Sequence, residues 1–154
     1  MISKLALGTV QFGLDYGISN TNGQVEKNEV KNILSSAKSY GIHTIDTASG
    51  YGNSEQVLGE VGISNCQVIT KTDSLELGVN TVIQSFKKSL DNLKVDSVDG
   101  LLIRAKDAQE KEIDSLYKVL IKLKQDKLIN KIGFSAYSPE QVDFLMRNFD
   151  FDLI

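Results

Sequence analysis

The feature that most constrains this chain is an alternation. Short aliphatic or β-branched runs recur roughly every thirty residues, the length of one strand-helix unit, and each is followed by a longer stretch with apolar residues at helical spacing. Residues 4–8 form the first run, and a Gly-rich loop over 8–24 leads into a helix expected over 26–40, with Val30, Ile33, Leu34 and Ala37 on one face. Gly41 stands where a glycine ends a helix. A second strand over 43–47 precedes a helix over 54–61, which Ser54 and Glu55 open as a cap and a first-turn acid. The third strand covers 67–72. Val79, Val82, Ile83, Phe86, Leu90 and Leu93 then mark a helix over 79–93. The fourth strand, 98–103, is aliphatic enough to be buried on both faces. A helix over 113–128 with Leu116, Val119, Leu120 and Leu123 in its stripe, a strand over 131–135, a helix over 139–148 with Pro139 in its first turn, and a sixth strand over 151–154 complete the series.

Strands alternating with helices imply a parallel sheet, because a strand can rejoin its neighbour in parallel only through a crossover. An open doubly wound sheet and a closed (β/α)8 barrel both fit. The only proline, Pro139, sits at a loop-to-helix step and no Pro/Ser-rich linker occurs, so residues 1–154 read as one domain without an internal boundary. A barrel typically takes about 250 residues, so this chain would supply its first five and a half βα units. Such a partial barrel would expose unpaired strand edges, and self-association through those edges, or membership of a longer protein, is expected.

With 17 basic against 20 acidic residues, scattered rather than clustered, the chain has no basic surface for nucleic acid. The single cysteine, Cys66, cannot form an internal disulfide. No apolar run approaches the ~20 residues of a membrane span, and the N-terminus lacks a signal-peptide pattern. The cytoplasm is the expected compartment.

Parallel strands present their C-terminal ends as the active face in either fold. Asp46 ends the second strand, Tyr51 follows in the loop, and Lys71 ends the third strand, so all three converge on one mouth. Singly, each has a bland reading: a loop cap, a packing lid, a solvated lysine. Together they are a carboxylate that orients an ammonium and an ammonium that favours the phenolate form of a tyrosine, which equips Tyr51 as a general acid.

The segment Gly41-Ile-His-Thr-Ile-Asp-Thr-Ala-Ser-Gly-Tyr-Gly-Asn-Ser-Glu-Gln-Val-Leu-Gly59 resembles the signature of the aldo-keto reductases around their catalytic Asp and Tyr. Ile69-Thr-Lys71 is similar to the family's lysine strand, Leu7-Gly-Thr-Val-Gln-Phe-Gly13 to its first strand and loop, and Ile132-Gly-Phe-Ser135 to its fifth strand. The resemblance implies a TIM barrel of that type, truncated here. It also implies an NAD(P)H-dependent oxidoreductase that reduces a small-molecule aldehyde or ketone, with NADPH the default cofactor and NADH the alternative. Tyr51 would donate the proton, Lys71 would tune Tyr51, and Asp46 would hold Lys71. On the cofactor side it implies Thr9, Val10, Asp46 and Ser135, and it requires no metal.

Two departures accompany the resemblance. Arg104 stands where the family usually carries a substrate-binding histidine, and it would either polarise a carbonyl, bind an acidic group, swing to solvent or pair with Asp107. The only histidine, His43, begins a strand far from the mouth. The family's later segments, which stack on the nicotinamide and hold the pyrophosphate, have no counterpart here. A non-catalytic binding or regulatory protein on a decayed barrel, or a sugar dehydrogenase or lyase-like variant, is therefore the alternative expectation.

Overall fold

The computed structural model describes residues 4–75, 78–104 and 113–154. Among the described residues five strands, β1 (Ala6–Gly8), β2 (Thr44–Asp46), β3 (Gln67–Lys71), β4 (Val98–Arg104) and β5 (Ile129–Ser135), form one parallel sheet in the order β1-β2-β3-β4-β5. Each strand pairs with the next in sequence. A doubly wound sheet reverses its order at a switch point, whereas this one advances in a single direction, as a barrel does.

Between the strands lie α1 (Val10–Gly13), α2 (Lys27–Ser39), α3 (Ser54–Val61), α4 (Val79–Leu93), α5 (Ile113–Gln125) and α6 (Pro139–Asn148). Strand side chains alternate between two faces. One set, including Ile45, Val68, Leu101, Ile103, Ile132 and Phe134, joins Val30, Leu58, Phe86, Leu116, Leu120 and Leu145 of the helices in a single buried core. The other set carries the ends of β2 and β3 with Asp46 and Lys71. Two inward positions are glycines for steric reasons: a Cβ on Gly100 or Gly133 would come within 2.7 or 2.6 Å of the Leu153 side chain.

Most sequence expectations match to within two residues, and the exceptions have local causes. The 8–24 loop contains the short helix α1, because Phe12 is 3% exposed and the chain coils to bury it. The helix expected to reach residue 128 stops at Gln125, since Lys127 takes a left-handed φ of 61° and turns the chain straight into β5, which starts at Ile129 instead of 131. The first strand is shorter than 4–8, as its pairing with β2 spans only Ala6, Leu7 and Gly8. The sixth strand is reduced to one parallel bridge between Gly133 and Leu153. Gly41 has the φ of 75° expected of a residue just past a helix end, and Ile42 N donates back to Ala37 O at 2.9 Å.

Candidate active site

Asp46 and Lys71 meet at the C-terminal ends of β2 and β3. Lys71 Nζ donates to Asp46 Oδ1 at 2.5 Å and to the Thr47 carbonyl at 3.0 Å. The same ammonium lies 5.2 Å from the centroid of the Tyr51 ring, within the range of a cation-π contact. The three side chains therefore share one mouth. The Lys71 side chain is 16% exposed and that of Asp46 is 34% exposed, so the pair is partly screened from water but open on one side. Within that setting a charge on Lys71 acts on the ring beside it more strongly than it would in bulk solvent.

The Tyr51 loop is fixed at several points. Ser49 Oγ can donate to the Lys71 carbonyl at 3.2 Å or to Asp73 Oδ1 at 2.6 Å, and Ser85 of α4 donates to the other Asp73 oxygen. Tyr51 N donates to Ala48 O at 3.1 Å, and Ser54 N to Tyr51 O at 3.0 Å, closing successive turns. From the other side, α1 packs backbone against backbone on the loop. A Cβ on Gly13 would lie 1.9 Å from Tyr51 O, and one on Gly52 would lie 2.2 Å from Gly13 O, so neither position admits a side chain without movement.

Ser54 corrects the reading of it as a helix cap. Asn53 is the capping position, and the Ser54 hydroxyl points inward, 2.9 Å from Thr9 O and 3.1 Å from Thr9 Oγ1. Thr9 in turn is fully buried, with both its N-H and its hydroxyl directed at Asp46 O, at 3.1 and 3.0 Å. In this geometry Thr9 braces the end of β2 from below, and the surface beside β1 falls to the half-buried Val10. Glu55 is the first-turn acid that the sequence expects, but it is turned inward: it is 4% exposed and accepts a hydrogen bond from Thr70 of β3 at 2.8 Å. Ser49, Ser54, Thr70 and Asp73 were not singled out for this site from sequence. Ser49 and Ser54 sit within or beside the Asp46 to Tyr51 motif, which is a signal; Thr70 and Asp73 had none beyond flanking Lys71.

Arg104 and Ser135 are register partners at the ends of β4 and β5, and Lys71 pairs with Leu102 two residues before Arg104. Alternation puts Arg104 on the same face as Leu102, one step nearer the mouth. Its suggested partner Asp107 lies outside the described residues. His43 is exposed and precedes β2; with Cys66 it lines a cavity of about 340 Å³ at the opposite end of the strands. Burial pushes the Cys66 thiol up from its ordinary value, and Lys38 partly offsets this.

Residues 4–154 match the Aldo/keto reductase family. A glyoxal reductase of Bacillus subtilis is 29% identical over 126 residues, which are 79% of this chain and 45% of that protein. A crystal structure from Pseudomonas aeruginosa, assigned to the aldo-keto reductases, superposes with a TM-score of 0.81 at 27% identity and covers 97% of this chain and 61% of its own. An aldo/keto reductase of Klebsiella pneumoniae, solved with NADP and acetate, has a TM-score of 0.76 over 97% of this chain and 51% of its own; at 20% identity that likeness is one of fold. The chain spans about half the length of the curated relatives it matches. Among the described residues, no helix is long and apolar enough to cross a membrane.

Proposed function

This chain belongs to the aldo/keto reductase family, and from that premise we propose that it carries the acid-base half of an NAD(P)H-dependent carbonyl reductase. The observation that supports this reading is the contact of Lys71 with both Asp46 and the Tyr51 ring. A nicotinamide cofactor, when bound, supplies a hydride to the carbonyl carbon of an aldehyde or ketone. Tyr51 then gives its hydroxyl proton to the carbonyl oxygen, so that the alkoxide never forms free. As the proton leaves, negative charge develops on the phenol oxygen and the Lys71 ammonium attracts it. Asp46 keeps that ammonium aimed.

The residues fit a nicotinamide at the mouth. A Cβ built on Gly8, at the end of β1, would meet nothing within 4 Å, which leaves room beside Asp46. Val10, which opens α1 just after β1, and Ser135, which ends β5, are half-buried, one offering an apolar surface and the other a hydroxyl for a carboxamide. NADPH is the first choice of cofactor and NADH the second, a preference in keeping with the NADP held by the Klebsiella protein. Arg104 would place a fixed positive charge where the substrate oxygen or an acidic substituent sits. That favours small polar carbonyl compounds, a class to which the name of the Bacillus relative also points.

The test uses the protein at its native length, with NADPH consumption followed on a panel of small aldehydes. Tyr51→Phe should lower kcat by about 10² to 10⁴, the usual contribution of a positioned general acid. A Tyr51→Phe variant as fast as the parent would remove the catalytic assignment. NADPH binding without turnover in the parent would favour a non-catalytic binding protein instead.

A further inference from the structure

Among the described residues, Glu55 is the buried ionisable group that this mechanism does not use. It sits in the first turn of α3, four residues after Tyr51, and on the side of that helix facing β3 and α4. Its carboxylate accepts from Thr70 Oγ1 at 2.8 Å and is hydrogen-bonded to Ser89 and Asn92 of α4. One turn further on, a Cβ added at Gly59 would come within 2.1 Å of Asn92 O, so α3 and α4 touch through their backbones there. A polar cavity of about 340 Å³ opens beside these groups, and Asp73 and Lys88 are the other charged residues that line it.

Burying a carboxylate without a cationic partner is costly. Desolvation pushes the Glu55 carboxyl above the ordinary value of 4.5 despite three hydrogen bonds, and Asp73 adds to the shift. A group retained only for stability would do better as an apolar residue of similar size. What the hydrogen bonds give instead is direction. Thr70 immediately precedes Lys71, and strand alternation points the two side chains to opposite faces. Glu55 thus holds β3 from behind at the residue next to the ammonium, while its own helix begins three residues after the tyrosine.

We propose that Glu55 is a positioning residue, which through its hydrogen bond to Thr70 sets the spacing between the Lys71 ammonium and the Tyr51 ring. This rests on the reductase reading for its consequence in turnover, but the spacing itself can be measured without turnover. The bond joins the strand that carries the cation to the helix that continues from the phenol. The Ser54 hydroxyl, which reaches Thr9 of the β1 end, anchors the same helix toward β1 and β2 only.

The experiment compares Thr70→Val, Thr70→Ser and Glu55→Gln in the native-length protein, with tyrosine labelled in the ring for NMR. The Tyr51 resonance is identified by its loss in Tyr51→Phe. In Thr70→Val it should shift and kcat should fall about tenfold with KM for NADPH unchanged, the scale of a sub-ångström misplacement. Thr70→Ser, which restores the hydroxyl, should return both to within twofold of the parent, and Glu55→Gln, which keeps an acceptor oxygen, should fall between. If Thr70→Val fails to fold, a displaced Tyr51 resonance in Glu55→Gln supports the proposal and an unmoved one overturns it. An unmoved resonance in a folded Thr70→Val overturns it too, as does a loss of kcat that Thr70→Ser shares. Full activity in Tyr51→Phe would sink the catalytic reading alone, and the resonance would still decide the role of Glu55.

Discussion

The two sides of the sheet are held together by different forces. Around β1, β2 and β3, the contacts are polar and directional: Ser54 to Thr9, Ser49 to Asp73, Glu55 to Thr70 and Lys71 to Asp46. Around β5, beside the hydrogen bonds of Asp152 to Lys124 and Ile132 N, the contacts are aromatic. Phe151 lies 4.9 Å from Phe134, 5.6 Å from Tyr117 and 6.0 Å from Phe149, with rings tilted or edge-on, and Tyr117 Oη donates to Asp150 O at 2.6 Å. Apolar packing lowers free energy with little regard to angle, whereas a hydrogen bond fixes the position of an atom. The side that would do chemistry is the side built from hydrogen bonds, and the side that anchors the last described segment is built from rings.

Substitutions can break this contrast. Phe134→Ala should have the largest effect on stability, about 3 to 5 kcal/mol, because the ring is fully buried and its loss leaves a cavity. Denaturant unfolding should show that loss while kcat per folded molecule changes little; an equal loss of kcat in folded protein would join the two sides. Gly13→Ala should do the reverse. With Tyr51 O 1.9 Å from the new methyl, either α1 or the tyrosine loop must move, at a cost of about 1 to 3 kcal/mol for overpacking. Its signature is a fall in kcat out of proportion to the change in midpoint.

The smallest effect separates the sides by the sign of their pH dependence. Asp152 accepts from Lys124 at 2.6 Å and from Ile132 N at 2.8 Å, and the Lys124 hydrogen bond holds its carboxyl below the ordinary value of 3.8. A lowered folded value stabilises the protein above the unfolded value and loses that contribution as pH falls through the folded one. Since the pair is more than a third exposed, it is worth less than about 1 kcal/mol. Glu55 has the opposite sign: its raised folded value favours the folded state at low pH, and that contribution is lost as pH rises from 4.5 through the raised value. Melting curves over the acid range should therefore show Asp152→Asn losing ground to the parent as pH rises, and Glu55→Gln gaining on it. Parallel curves for the two variants would mean that one of these carboxylates is not in the environment described.

Much of the site was legible because its key residues lie close in sequence on strongly patterned elements. Asp46 and Tyr51 belong to one strand-loop segment, and Lys71 ends the next strand of a parallel sheet, whose strands all present their C-terminal ends to one face, so knowing the strands sufficed to bring them to one mouth. The helix over 79–93 was readable to the residue from its apolar spacing, and those over 54–61 and 139–148 from the residues that open them, Ser54-Glu55 and Pro139. The supporting shell was not. Ser54 and Glu55 look like a cap from sequence alone, and only the packing of α3 against β1, β3 and α4 turns both side chains inward. The helical turn of α1 was hidden in a glycine-rich stretch, because what coils it is the burial of Phe12 rather than its own propensity.

By itself the sequence determined the alternation of strands and helices, and with it the parallel sheet and the mouth where Asp46, Tyr51 and Lys71 gather. Those features follow from local periodicity and from the fixed direction of parallel strands. Tertiary structure decided the single direction of strand order, the buried place of Thr9, the near-absence of a sixth ladder, and the hydrogen bond from Thr70 that ties Glu55 to the strand beneath Lys71. Each of these depends on contacts between residues far apart in the chain, which no local pattern encodes.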